Sequence, residues 1–194
     1  MSKVRGIERF ADAMSGCKGG YVLIGGGACS VLFDNEGDSF RATEDLDVVV
    51  IVDGKGVEFA TALWAFIKAA GYETGKVGDG YYEFIRDNAT NVEGITLLDA
   101  LHIIPLKMRA HIDINRSYEE GRHCNDKDRR KHRSDIVRLA GLLPPSARLE
   151  LIEQMRADAG DFFADFSSYV NRQTDRKERA RLQDTLSFLE KVYL

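Results

Sequence analysis

The chain has 194 residues and sets 27 Lys and Arg against 31 Asp and Glu, for a formal net charge of -4. A hydrophobic fraction of 44% beside a charged fraction of 30% excludes a disordered or collagen-like chain, and the length supports a sizeable core without metal or disulfide staples. No apolar run approaches the ~18 residues of a membrane span.

The first residues, Met1 to Gly6, lack the apolar stretch of a signal peptide. The three cysteines, Cys17, Cys29 and Cys124, are odd in number and show no CxxC spacing. They read as reduced thiols of a cytoplasmic protein rather than as a disulfide framework or a zinc site. The slightly acidic balance also speaks against a sequence-blind nucleic-acid coat protein.

In chain order, Val4, Ile7, Phe10, Ala11 and Met14 stand at helical spacing and predict a first helix over 3–16. Tyr21-Val22-Leu23-Ile24 predicts a short buried strand running into a Gly25-Gly26-Gly27 turn, after which a helix resumes over 28–33. Leu46 to Val52 predicts a strand, and its consecutive valines suggest a central place in a sheet. Val57, Phe59, Leu63, Trp64, Phe66 and Ile67 mark an amphipathic helix over 56–70. Tyr81 to Arg86 fits strand or helix, and Ile95 to Leu98 fits a strand. Pro105 is placed as the first-turn residue of a helix over 106–114. A long helix over 126–143 ends at Pro144-Pro145. Three further helices are expected over about 146–158, 160–172 and 175–192. The fold class is α/β in the broad α+β sense: a core over 1–143, with a short mixed sheet flanked by helices, and a helical C-terminal extension over 144–194.

The chemistry concentrates between Gly25 and Asp47. Arg41, Thr43, Asp45 and Asp47 are spaced by two, so in an extended chain their side chains share one face. Asp45 and Asp47 would then lie roughly 7 Å apart and repel unless a cation stands between them. A hard divalent ion, Mg²⁺ or Mn²⁺, is the simplest solution, because such ions combine carboxylates with substrate phosphates. A glycine turn between strand and helix lets backbone amides approach a ligand closely, and the helix N-terminus that follows favours an anion. Ser30, one turn in, adds a hydroxyl. A phosphate cradle beside a carboxylate pair is apparatus for phosphoryl or nucleotidyl transfer. Taken singly, each motif has a plainer reading: a triple glycine as a turn, Arg41 as a surface residue, Thr43 as a cap.

The run from Tyr21 through Gly25-Gly-Gly-Ala-Cys-Ser30, followed by Phe40-Arg-Ala-Thr-Glu-Asp-Leu-Asp47, resembles the signature of the DNA polymerase beta-type nucleotidyltransferase superfamily. Within it, Arg41-x-Thr43-x-Asp45-x-Asp47 is most similar to the minimal nucleotidyltransferases of the AbiEii toxin type. A second similarity runs from Ile104 through Lys107 to Ala110 and then over Lys127-Asp128, Lys131 to Asp135 and Arg138. The resemblance covers about residues 20–140. It implies that Gly25, Gly26 and Ser30 hold the phosphates of an NTP, that Asp45 and Asp47 hold Mg²⁺ (or Mn²⁺), and that Arg41 and Thr43 support the loop or touch phosphate. Lys107 falls where relatives carry a lysine that contacts the nucleotide. The plainer reading of Lys107 is a lysine snorkelling off a helix.

The superfamily uses a third carboxylate as metal ligand and general base. Glu83 is the candidate here, with Asp99 and Asp113 as substitutes, and the segment between Tyr72 and Tyr81 looks short for the strand that would carry it. Two function classes follow. One is a Mg²⁺-dependent transfer of an NMP group from an NTP to an acceptor hydroxyl on RNA, protein or a small molecule, in the manner of a toxin whose partner is an antitoxin protein. The other is a catalytically degenerate nucleotide-binding or protein-interaction module on the same fold.

Three other features carry plainer readings. The basic run over 122–133 reads as a solvated helix face ahead of a phosphate-binding surface. His102 and His111 read as packing or surface residues, and Cys29 as a small buried hydrophobe. The stripe Leu182, Leu186, Phe188, Leu189 and Val192 is a core contact or, alternatively, a docking face.

Overall fold

A computed structural model describes residues 6–43, 46–51, 56–70, 89–92, 95–122 and 126–194. The chain divides into two compact units, Met1–Asp99 and Ala100–Leu194. The first holds a mixed sheet with helices, and the second is helical, so the chain is an α+β protein.

The first unit contains helix α1 (Ile7–Ala13), a single 3₁₀ turn (Ser15–Cys17), strand β1 (Tyr21–Ile24), helix α2 (Gly25–Asn35), strand β2 (Asp47–Val50), helix α3 (Gly56–Ala70) and strands β3 (Ala89–Val92) and β4 (Ile95–Leu98). The sheet order is β2-β1-β4-β3. β1 runs antiparallel to β2 and parallel to β4, and β3 and β4 pair antiparallel. Its interior is aromatic. Tyr21 stacks on Phe59 at 5.3 Å between ring centroids and meets the edge of Phe10 at 5.3 Å, and Phe10 in turn meets Phe66 at 5.6 Å. Such pairs contribute beyond their burial alone. They fix α1 and α3 against the start of β1.

Two expectations change here. The triple glycine is not a turn ahead of a helix but the first turn of α2 itself, and Gly25 has a φ of +66°. The valine strand is not central: β2 lies at one end of the described sheet and is half-buried to exposed along its length. Consecutive valines register a preference for extended backbone, which an end strand satisfies as well as a central one.

The second unit consists of helices α4 (Ala100–Glu119), α5 (Asp126–Ala140), α6 (Glu153–Asn171) and α7 (Arg176–Tyr193). α4 packs on α5 and α6, and α7 packs on α6 and α5. Ile103, Ile104 and Met108 of α4, Ile136 and Leu139 of α5, Phe162 and Phe166 of α6, and Leu186 and Leu189 of α7 are all buried. Asp175 caps α7 by accepting hydrogen bonds from the backbone amides of Lys177 and Glu178 at 2.8 and 3.0 Å, a favoured N-cap arrangement.

The sequence placed α4 and α5 with the sheet and divided the chain at 143/144, whereas the compact units divide at Asp99/Ala100 because α4 and α5 share their apolar faces with α6 and α7. α4 begins at Ala100, five residues before Pro105, which lies inside the helix. Residues 146–172, expected as two helices, form one, α6, preceded by an irregular segment. Gly160 does not break it, and a Cβ there would meet nothing within 4 Å. Among the described residues no helix is long and apolar enough to cross a membrane.

Candidate functional site

The geometry of the first unit converges where β1 hands over to α2. Ile24 pairs with Asp47 in the antiparallel register, so the first residue of β2 stands opposite the residue before the helix. A Cβ built on Gly25 would fall 1.9 Å from Oδ2 of Asp47, and one built on Gly26 would fall 2.7 Å from Oγ1 of Thr43. Neither approach leaves room for a side chain, which is why this strand-to-helix junction requires glycine. Asp47 is exposed and Thr43 half-buried. The Ile24 side chain gives α2 no cap. The first-turn amides of α2, with the positive end of the helix dipole behind them, are thus bordered by a carboxylate and a hydroxyl.

The segment that brings Thr43 here is anchored from behind. Phe40 is 3% exposed and stacks on Phe33 of α2 at 5.2 Å, and the Arg41 guanidinium lies over the Phe40 ring at 5.2 Å. Of the expected site residues, Gly25, Gly26, Thr43 and Asp47 therefore meet in one place, with Arg41 two residues from Thr43. Ser30 is in the second turn of α2 and is buried. Asp45 and Glu83 lie outside the described residues. Among the described residues no group of three or more His, Cys, Asp or Glu side chains converges as a metal site. The first unit's Asp99 follows β4, whereas Asp113 belongs to the second unit and pairs with Arg109 at 2.8 Å.

Comparison of the chain with protein-family models, with curated proteins and with solved structures found no match.

Lys107 belongs to the second unit. It does not snorkel: it is buried, and its Nζ donates to Oδ2 of Asp135, equally buried, at 2.7 Å. Asp135 lies within the similarity over Lys131 to Asp135 but received no role there, because its partner lies on a different helix 28 positions away. His132, one turn before Asp135, has an Nδ1 that is buried without a hydrogen-bond partner. Burial, reinforced by the nearby Lys107 charge, holds its imidazole at a pKa of about 4, well below the usual range. His111 is fully buried, with Nε2 2.8 Å from Asp165 and its ring edge against Phe162. Arg109 reaches the buried Asp158 at 3.0 Å. These paired groups cross the α4, α5 and α6 contacts and satisfy one another, as buried charges must.

Cys29 is fully buried, as is most of the C-terminal stripe, with Leu182, Leu186, Leu189 and Val192 at most 3% exposed. The stripe is a core contact.

Proposed function

We propose that the first unit binds the phosphates of a nucleoside triphosphate at the start of α2, and that the protein transfers the nucleoside monophosphate to an acceptor hydroxyl on a fold of nucleotidyltransferase type. The observation that carries this reading is the approach of the Asp47 carboxylate to Gly25 at the uncapped start of a helix. Backbone amides there favour a phosphate, yet a phosphate beside Asp47 is repelled by it. A divalent cation between them turns that repulsion into attraction, and the oxygen donors present, an exposed carboxylate and a hydroxyl, are the kind that Mg²⁺ or Mn²⁺ takes. When bound, the metal would supply charge neutralisation on the phosphates.

In this reading the chain's own groups have separate tasks. The amides of α2 orient the phosphates, Thr43 fixes the loop against Gly26, and Asp47, with Asp45 beside it in sequence, holds the cation. The acceptor oxygen forms a bond to the α-phosphorus, the bond to pyrophosphate breaks, and the acceptor proton passes to a carboxylate, for which Glu83 is the candidate. The acceptor class is RNA, protein or a small molecule, and the AbiEii-type resemblance extends the proposal to a cytoplasmic toxin controlled by an antitoxin protein.

The test is thermal unfolding with each NTP, with and without Mg²⁺, on wild type and Asp47→Ala, followed by transfer of label from an α-labelled NTP. A ligand at ~100 times its Kd adds about 2.7 kcal/mol to the native state. The expected result is a Mg²⁺-dependent rise in Tm and label transfer, both lost in Asp47→Ala. Absence of a shift with every nucleotide overturns the binding reading, and a shift without transfer to any acceptor class leaves the nucleotide-binding module in place of the enzyme.

A further inference from the structure

The Asp47 side chain covers the first residue of α2. A Cβ on Gly25 would meet its Oδ2, Cγ and Cβ atoms, all within 3.0 Å. On the neighbouring Gly26 the cover is Thr43, whose Oγ1 and Cβ a methyl would meet at 2.7 and 3.1 Å. The Ile24–Asp47 register sets this approach, and Asp47 has an interaction of its own, which holds the carboxylate in place. The charged group nearest the helix start is therefore itself an anion. A free phosphate approaching the first-turn amides would have to share its position.

Magnitudes decide which charge prevails. The positive end of a helix dipole amounts to about half an elementary charge, less than the full charge of the carboxylate beside it. The surroundings reinforce the carboxylate. The first unit, Met1–Asp99, has 9 Lys and Arg against 16 Asp and Glu, a net charge of -7. The segment from the end of α2 to just past β2 is more one-sided: residues 34–53 contain seven acidic residues and a single basic one, Arg41. The Arg41 guanidinium lies over the Phe40 ring. Sites for bare phosphate commonly rely on guanidinium forks or lysines, whereas the potential here repels an anion.

We infer that Asp47 is a charge gate: its carboxylate bars a bare phosphate from the start of α2 and admits one only in complex with a divalent cation. The inference rests on the reading of this helix start as a phosphate site, and it gives Asp47 a task beyond holding the cation. Inorganic phosphate and free polyphosphates are refused, so occupancy follows the supply of the metal complex rather than the total anion concentration. Thr43 covers Gly26 in the same way but has no charge, and it takes no part in the exclusion.

The experiment is amide hydrogen exchange of the full chain, read on peptides that span residues 24–33, with inorganic tripolyphosphate as the probe. Removing one adjacent charge in Asp47→Asn should strengthen metal-free binding by at least about tenfold. In EDTA, tripolyphosphate at about ten times its Kd for that variant should slow exchange in the first turn of α2 about tenfold, against about twofold at most in wild type at the same concentration. With Mg²⁺ in place of EDTA, wild type should show the slowing as well. Thr43→Val in EDTA should behave as wild type, because it alters the neighbouring cover without altering charge. Slowing in EDTA that is equal in wild type and Asp47→Asn, or equal in Thr43→Val and Asp47→Asn, would overturn the inference. Asp47 is exposed and asparagine keeps its shape; Asp47→Ala gives the same comparison if that variant fails to fold. The two readings fail separately. A Mg²⁺-dependent NTP response in wild type without metal-free gain in Asp47→Asn overturns the gate alone. Metal-free capture by Asp47→Asn without any NTP response in wild type upholds the gate and removes the nucleotide.

Discussion

The Tyr193 hydroxyl donates a 2.8 Å hydrogen bond to the carbonyl oxygen of Leu101. That oxygen is the one Pro105 leaves open, because in an α-helix the carbonyl of residue 101 is bonded by the amide of residue 105, and proline has none. A residue at the end of α7 thereby completes a hydrogen bond missing from the first turns of α4. Tyr193 is 2% exposed, so its hydroxyl is matched as a buried polar group requires.

Tyr193→Phe should therefore destabilise the protein by about 1–2 kcal/mol, the cost of leaving a buried carbonyl unpaired. The Pro105→Ala background tests the cause, since an alanine in place of the proline restores the amide that serves Leu101. In that background the cost of Tyr193→Phe should fall by more than half, measured by urea unfolding of all four proteins. Equal costs in the two backgrounds would mean that the hydroxyl acts independently of the proline.

Gly25 and Gly16 make a matched contrast. Gly25→Ala places a methyl on Asp47 at a φ of +66°, and the left-handed backbone alone costs ~1–2 kcal/mol for a residue with a Cβ. The variant should lose at least that much stability and any Mg²⁺-dependent nucleotide response. Gly16→Ala meets nothing within 4 Å and should raise stability by about 0.4–1 kcal/mol through the unfolded chain. Thermal or urea unfolding gives both signs.

The Lys107–Asp135 pair predicts an asymmetry. Removing one partner, as in Lys107→Met, strands a buried charge and should cost roughly 3–5 kcal/mol. Replacing both, as in Lys107→Met with Asp135→Leu, removes the stranded charge along with the pair and should recover most of that loss. A double variant as unstable as the single one would show that the pair is worth more than its apolar replacement.

His132 sets a pH dependence. Its imidazole has a pKa of about 4 in the folded protein against an ordinary 6.5, so the unfolded chain takes up a proton more readily than the native one. Stability from this group is complete above pH 6.5 and falls as pH drops from 6.5 towards 4. The groups that face it are Lys107, Asp135, Lys131 and His111. Discounted for its partial exposure, the loss is roughly 2 kcal/mol. His132→Gln should flatten the stability profile between pH 6.5 and 4 without changing its slope above pH 7.

Much of this fold is legible in the sequence where one physical signal dominates. Tyr21–Ile24 and Ile95–Leu98 are short apolar runs bounded by breakers, and both form strands at those bounds. The spacing of apolar residues over 56–70 gives α3 the same limits. The misread boundaries share a cause, which is that a helix breaker acts only where the surroundings let it. Pro105 is tolerated inside α4 because Tyr193 supplies the missing bond, and Gly160 is tolerated in α6 because Ala159 before it and Phe162 and Phe163 after it are buried. The glycines and Asp47 were recognisable as motifs, but their apposition depends on the Ile24–Asp47 register, which no local pattern specifies. The Lys107–Asp135 pair joins two helices and has no local signature at all.

The pairing of β1 has a consequence for how the sheet is made. Leu23 pairs with Val48 on one side and with Leu97 on the other, so the β1–β2 ribbon can close long before β4 has emerged during synthesis. In that interval Tyr21–Ile24, four apolar residues without a charge, presents an open row of backbone donors and acceptors, the template on which strands of different molecules join. Slow elongation or truncation between Val50 and Ile95 should therefore favour aggregation over folding, and a lysine introduced at an exposed β2 position such as Val50 should not relieve it, because the vulnerable edge is the other side of β1.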